Sequence, residues 1–456
     1  MGEPLAGLDG IDWAGLDHAY GSAEDVPGLL RALSSSDEEK REAAVGELFT
    51  NIFHQGSRYG ASAAAVPFLV ALAADPDTPE RTWPLYLASA LAIGYDEAHL
   101  PSGVDITAWR EETARLRVTE PAAEKQRLDA WVAEAANEQE RLYREAERDH
   151  FDFARVLRLI EADLAAYDAV RAALPTVRSL LGDDDAEVRA AAAYTAGWFP
   201  EEASATLPAL EALLDAEQDP TVIAHALIAA GLLTNETPPA QSRDHLTTAA
   251  APGEQTPHAQ TRDRLTVVRP AGGSMALARS REDLVVGLAG GRGLLSRCRE
   301  HLAAPEPLPR WAAAIVLARL GAADAAVIAE LAASSASPPE GEAAFLEGDL
   351  RLYSALALAS LDEVPPDAVD AVLSGLSRTD GDASFPMAEA ALRLTFRVPL
   401  LPLPRFADLA PAQQRTVRTI AELPPESWRW GNLLEVVRAW GLPTVHDECR
   451  RYAGLA

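Results

Sequence analysis

Imidazole, amide, guanidinium and phenol groups crowd one short stretch of this chain: Asn51, His54, Gln55, Arg58 and Tyr59. Such groups gathered where a helix ends can hold a polar small molecule, so this set is a possible ligand surface. Helix termination uses the same residues, with His54 near the negative C-terminal end and Gly56 as the stop. Trp13, His18 and Tyr20 lie upstream and either extend that surface or seal the first helix pair as a cap. Acids supply a second set: Asp37-Glu38-Glu39, Asp75 with Asp77 and Glu80, Asp183-Asp184-Asp185, and Asp215 with Glu217 and Asp219. If equivalent turns stack along one edge, Asp37, Glu38, Asp75, Asp77, Asp183, Asp184, Asp185, Asp215 and Asp219 build an acidic ridge suited to a basic partner. Capping of the following helix is the competing role for each aspartate, although three acids per turn exceed what one cap uses.

Patterns for catalysis are thin. His446-Asp447-Glu448 are adjacent, a spacing that does not direct three side chains onto one metal. Gly287, Gly290, Gly291 and Gly293 surround Arg292 without a following Gly-Lys-Ser/Thr, so they read as a helix connection rather than a phosphate loop. Ser274 lacks the G-x-S-x-G frame. No catalytic residue, cofactor or metal ligand is assigned from the sequence. Trp198, Trp311 and Trp440 sit at helical spacing in apolar stretches and read as core, whereas Trp428 and Trp430, flanking Arg429 near a turn, read as exposed anchors.

The elements that must position these residues come from a phrase that recurs. An aliphatic residue and a proline lead a leucine-rich helix, then an acidic turn, then a second apolar helix, at Val26-Pro27, Val66-Pro67, Leu174-Pro175 and Leu207-Pro208. Leu29, Leu30 and Leu33 in the first copy, and Leu210, Leu213 and Leu214 in the fourth, give the i, i+3, i+4 set of an amphipathic helix. Proline suits the first turn of such a helix, where its missing N–H costs nothing. Self-similarity at this period predicts an all-α fold: an α-solenoid of stacked antiparallel helix pairs.

Pro27 and Pro67 are 40 residues apart and Pro175 and Pro208 are 33 apart, but Pro67 and Pro175 are separated by 108. The array is therefore interrupted. Residues 1–24 read as an N-terminal cap, 25–94 as repeats one and two, and 95–166 as a charged helical insertion or arm. One long helix is expected from Pro121, carrying Leu128, Trp131, Val132, Leu142 and Tyr143 on one side, with a break at Asp149-His150. Residues 167–233 supply repeats three and four. Residues 234–281, rich in Pro, Thr, Gln and Gly, read as a low-complexity, disordered insert. Degenerate repeats five to seven follow over 282–398, and 399–456 form a C-terminal helical cap, since terminal repeats must close the exposed core.

Composition bounds the function. The 456 residues hold 40 Lys and Arg against 69 Asp and Glu, a net charge of −29 that disfavours nucleic acid and anionic membrane as partners. The two cysteines, Cys298 and Cys449, are far apart and outside any C-x-x-C spacing, which points to a reducing cytoplasm. The start lacks a basic, apolar leader, and no run of about 18 apolar residues suggests a membrane span. Lys40 and Lys125 are the only lysines, which together with the alanine and proline load looks like a high-GC bacterial coding bias.

A proline-led helix, an aspartate-rich turn and a Val-Arg opening occur together in Leu174-Pro175, Asp185, Val188-Arg189, Ala192 and Ala196. In these residues the chain resembles HEAT repeats, especially the bacterial subset of phycobilin-lyase proteins. The resemblance implies an armadillo/HEAT-like α-solenoid that binds proteins, and it carries over no active-site residue, because the repeat pattern specifies packing. The expected function is a cytoplasmic, non-enzymatic protein-binding scaffold or adaptor, such as an immunity-type inhibitor of a basic protein. Two alternatives stay open: a HEAT-repeat enzyme (a small-molecule lyase or isomerase, or a DNA glycosylase), and an architectural subunit that makes its contact through the arm.

Overall fold

The computed structural model describes residues 3–135, 138–234, 289–399 and 402–455. Among them run twenty α-helices and two short β-hairpins. The fold is all-α, an α-solenoid architecture of neighbouring helices packed in pairs. The low-complexity insert expected at 234–281 lies outside the described residues except for Thr234. Two compact units divide the rest: residues up to Ala98 with Val104–Ala209, and His99–Gly103 with the residues from Leu210 onward.

The first unit contains the helix pairs Val26–Ala32 with Glu38–Asn51, Gly60–Ala74 with Thr82–Ile93, and Phe153–Ser179 with Ala186–Ala196. Gly60–Ala74 packs on Phe153–Ser179 and Thr82–Ile93 packs on Ala186–Ala196, so the second pair meets the third directly across the long sequence gap. Small side chains permit that approach: Ala190, Ala191, Ala192 and Ala193 are all buried in one helix. Ser89 Oγ donates to Thr195 Oγ1 at 2.8 Å across the same interface. Leu69, Leu72, Leu91, Tyr167, Leu174 and Phe199 form the core between the layers.

Three of the four repeat prolines are not at helix starts. Pro27 occupies the first turn of its helix, but Pro67, Pro175 and Pro208 lie inside Gly60–Ala74, Phe153–Ser179 and Ala203–Ala216. The residues upstream of each proline extend the helix toward its N-terminus, and each ring lies on the exposed side, where solvent can satisfy the carbonyl it frees. Phe153–Ser179 accordingly runs without interruption across residues 166 and 167.

Between the second and third pairs stand the helices Ile106–Val118, Pro121–Ala133 and Glu138–His150. The single long helix expected from Pro121 is therefore two, packed on each other as a hairpin, and Leu142 is left 55% exposed. The break expected near Asp149-His150 is present. Helix Glu138–His150 ends there, and the Asp152 carboxylate accepts from the Arg155 N–H to start the next helix. Arg110 ties the first insertion helix down through two bonds to Asp168, at 2.6 and 3.1 Å.

In the second unit, helix Pro220–Leu233 packs on Pro307–Arg319, and Ala325–Ala336 packs on Leu350–Ala359 and Pro366–Leu376. Gly375 sets the spacing of that last contact, because a Cβ there would sit 2.1 Å from the Ser335 carbonyl oxygen. Trp198, Trp311 and Trp440 are buried, as their spacing suggests, and Trp311 Nε1 donates to Ser354 Oγ at 3.0 Å. Trp428 corrects the reading of an exposed anchor. It is 7% exposed and stacks on His446 with ring centroids 4.9 Å apart, because the helix His446–Tyr452 folds back over it. Trp430 is half-buried.

Candidate functional site

The polar set around His54 is held by two hairpins that periodicity did not reveal. Helix Glu38–Asn51 ends at Asn51, and Phe53–His54 pairs antiparallel with Ser57–Arg58. The connecting residues, Gln55 at φ 52° and Gly56 at φ 84°, both take the left-handed conformation that two-residue hairpin turns use. A side chain at position 56 would strike Tyr95, with its Cβ 2.9 Å from the ring. The second hairpin pairs Asp17–His18 with Gly21–Ser22.

These hairpins bring Tyr20 over His54, with ring centroids 5.3 Å apart. The Tyr20 N–H donates to His18 Nδ1 at 3.0 Å, which leaves the proton on Nε2, and Nε2 donates to Asp25 Oδ1 at 2.9 Å. Asn51 Nδ2 donates to the other Asp25 oxygen at 2.7 Å. His54 Nδ1 lies 3.2 Å from the Thr50 carbonyl. Asp25 thus bridges His18 and Asn51, and Tyr20, 64% exposed, is the most open aromatic of the group.

Arg58 does not join that cluster. Arg58 is 5% exposed, pairs with Asp163 at 3.0 Å, donates to the Gly56 carbonyl and lies over Trp109. Burial pulls the Arg58 guanidinium below its ordinary value and pushes the Asp163 carboxyl up, with each partner's charge opposing the shift. The pair fastens the hairpin to the helix Phe153–Ser179 and is structural. The Tyr59 N–H donates to Ser62 Oγ at the start of helix Gly60–Ala74, and burial raises its phenol.

The acidic turns divide into caps, ion pairs and open carboxylates. Asp185 accepts from the Glu187 N–H, and Asp219 from the Thr221 and Val222 N–H groups, as helix caps. Asp75 accepts from the Asp77 N–H within its turn. Asp183 receives Arg81 in two bonds, at 2.6 and 3.1 Å, which hold its carboxyl below the usual carboxylate range. Asp215 pairs with Arg297. Asp37 sits 3.5 Å from Lys40 and 47% exposed, while Glu38, Asp77 and Asp184 are exposed and make no ion pair among the described residues. Nothing in the sequence marked the Arg81–Asp183 partnership, which joins residues 102 positions apart.

His446 directs Nε2 to the Ala421 carbonyl at 3.0 Å, away from Asp447 and Glu448. Among the described residues no three His, Cys, Asp or Glu side chains gather as a metal site. Gly290, Gly291 and Gly293 lie in helix Ala289–Leu302, and Gly287 and Ser274 fall outside the described residues.

A family model described as HEAT repeats matches residues 153–231. This segment is a HEAT-repeat array. It includes the long helix with Pro175, the Asp183-Asp184-Asp185 turn, and the helices Ala186–Ala196, Ala203–Ala216 and most of Pro220–Leu233 that follow it. No curated protein matches the chain. Among solved structures, the crystal structure of an engineered protein aligns over 95% of this chain and 98% of its own, at 16% identity and a TM-score of 0.26. A superposition that loose carries no argument, so the HEAT-repeat assignment rests on the family match and on the helix pairing. No described helix is long and apolar enough to cross a membrane.

Proposed function

We propose that this HEAT-repeat chain is a non-enzymatic protein-binding scaffold of the cytoplasm, and that the protein it receives is basic, as an immunity-type inhibitor would require. One observation carries the reading: the charge is concentrated. Residues 1–98 and 104–209 hold 18 Lys and Arg against 38 Asp and Glu, a net of −20 out of −29 for the whole chain. A field of that sign speeds association with a cationic partner and makes it salt-sensitive. The open carboxylates Glu38, Asp77 and Asp184 support direct contact, since forming an ion pair there breaks none among the described residues. Cys298 and Cys449 are buried free thiols, both pushed up to about 12 by burial, which fits a reducing compartment.

The test is affinity capture with tagged protein from native lysate at low and high salt. A near-stoichiometric basic protein, retained at low salt and released at high salt, is the expected result. Retention of an acidic or neutral protein at both salt levels overturns the proposal, as does a salt-dependent shift of duplex DNA.

A further inference from the structure

Trp83 is 47% exposed at the start of helix Thr82–Ile93, while Leu85 and Leu87 beside it are buried. Its indole borders a shallow apolar groove between the first and second helix pairs, too narrow as it stands to admit a water molecule. Leu33, Val45, Leu48, Phe49, Pro84 and Leu87 supply the other walls, all of them apolar. The backbone that presents the indole is fixed. Glu80 sits at φ 48° and accepts Arg41 Nε at 3.0 Å, the Trp83 N–H donates to the Glu80 carbonyl, and Arg81 is held by the Ala73 carbonyl and Asp183. An exposed tryptophan on a rigid turn, at the edge of a closely packed apolar seam, is the arrangement of a docking anchor.

Charge says what docks. The turn after Leu33 carries Asp37, Glu38 and Glu39, and the turn before Trp83 carries Asp75, Asp77 and Glu80, against Lys40, Arg41 and Arg81. Arg41 is spent on Glu80 and Arg81 on Asp183, so the groove is flanked at both turns by net negative charge. We infer that the exposed face of Trp83 above this groove is the anchor subsite of the scaffold. An aliphatic side chain from a cationic segment of the partner packs on the indole, and arginines or lysines flanking that side chain meet Asp37, Glu38 and Asp77. The inference rests on the basic-partner reading and adds to it where, and by which side chain, the partner is gripped.

The probe is a short fluorescein-labelled arginine-rich peptide with one central leucine, and a matched peptide with serine in its place. Anisotropy titration of the full chain should show both binding at low salt, with the leucine peptide about tenfold tighter, the value of burying one such side chain. Trp83→Ala should erase that preference and leave the serine peptide unchanged, whereas Trp83→Phe, which keeps a ring over the groove, should retain most of it. Glu38→Gln with Asp77→Asn should weaken both peptides equally. A preference that survives Trp83→Ala overturns the subsite, as does equal binding of the two peptides to the parent chain; the basic-partner reading stands in either case. Binding of neither peptide at low salt overturns both.

Discussion

His225 should make the second unit acid-sensitive in a defined window. Its ring is 1% exposed in the middle of helix Pro220–Leu233, with Nδ1 donating to the Thr221 carbonyl at 2.8 Å and Nε2 accepting the Ala344 N–H at 3.2 Å. Both nitrogens are therefore satisfied only in the neutral ring. Burial lowers its pKa to about 4, against an upward pull from the Thr221 carbonyl and the Asp219 charge. A histidine free in the unfolded chain titrates near 6.5, so above that value His225 costs nothing. As pH falls from about 6.5 to about 4, only the unfolded chain takes the proton, and stability drops by about 1.4 kcal/mol per pH unit. The total loss is about 3 kcal/mol, reached near pH 4 and constant below it. His225→Gln keeps an acceptor for the Ala344 N–H but cannot titrate. Urea unfolding by far-UV circular dichroism, run for both proteins from pH 8 to pH 4, isolates the effect, because the carboxylates titrate alike in the two. The difference in unfolding free energy between parent and variant should slope through the pH 6.5 to 4 window. Parallel profiles would refute the argument, and a parent that gains stability on acidification relative to the variant would reverse its sign.

Asp163→Ala should destabilise the first unit by about 3 kcal/mol in a thermal melt, at the low end for breaking a buried ion pair because the Asp163 side chain keeps 32% of its exposure. Replacing both partners, Arg58→Met with Asp163→Leu, should recover most of that loss, and failure to recover would show that the charges themselves matter. Asp183→Asn should cost about 1–2 kcal/mol at neutral pH by removing the two-pronged Arg81 contact, whereas Asp184→Asn next to it should change stability by less than about 0.5 kcal/mol. Equal effects would mean the turn acts only through its summed charge. Gly375→Ala should destabilise by about 2 kcal/mol or more, although alanine favours a helix by about 1 kcal/mol, since its Cβ would overlap the Ser335 carbonyl; an unchanged melting temperature would show that the helices slide apart freely.

What was legible in the sequence is what depends on local period. The leucines after Pro27 and Pro208, the alanines of Ala186–Ala196 and the buried positions Val417, Ile420, Leu433 and Val437 announced helices whose apolar faces must stack. Helix starts were less legible, because a proline reports only that its own N–H is unused. Pro67 and Pro175 meet that condition in mid-helix by turning to solvent. The hairpin at Phe53–Arg58 was hidden for a chemical reason: two-residue turns favour Asn-Gly or Asp-Gly, and Gln55-Gly56 offers only half of that signal. Arg58–Asp163, Arg81–Asp183 and His225–Ala344 join positions 102 to 119 residues apart, where no period exists to read.

The same separation explains how one residue type performs opposite work along this chain. Aspartate at 185 and 219 is consumed by the N–H groups of a helix start, where it stabilises by about 1 kcal/mol whatever the chain binds. Aspartate at 163 and 183 is consumed by an arginine brought from far away, so it stabilises the packing of one pair on the next. Those left over after caps and pairs among the described residues, Asp77 and Asp184 in the acidic turns, can meet a partner without a cost to the fold. A net charge of −29 sets the long-range field, since a carboxylate paired with a counted arginine adds nothing to it. It overstates the surface offered for direct contact, because capping carboxylates such as Asp185 and Asp219 are counted in it while their oxygens are taken by helix N–H groups. It follows that salt should act mainly on the rate of association and that neutralising Asp77 or Asp184 should act on the lifetime of the complex. Stopped-flow association and dissociation rates with the leucine peptide decide this: a salt effect confined to dissociation, or an Asp77→Asn effect confined to association, would contradict the division of labour among the acids.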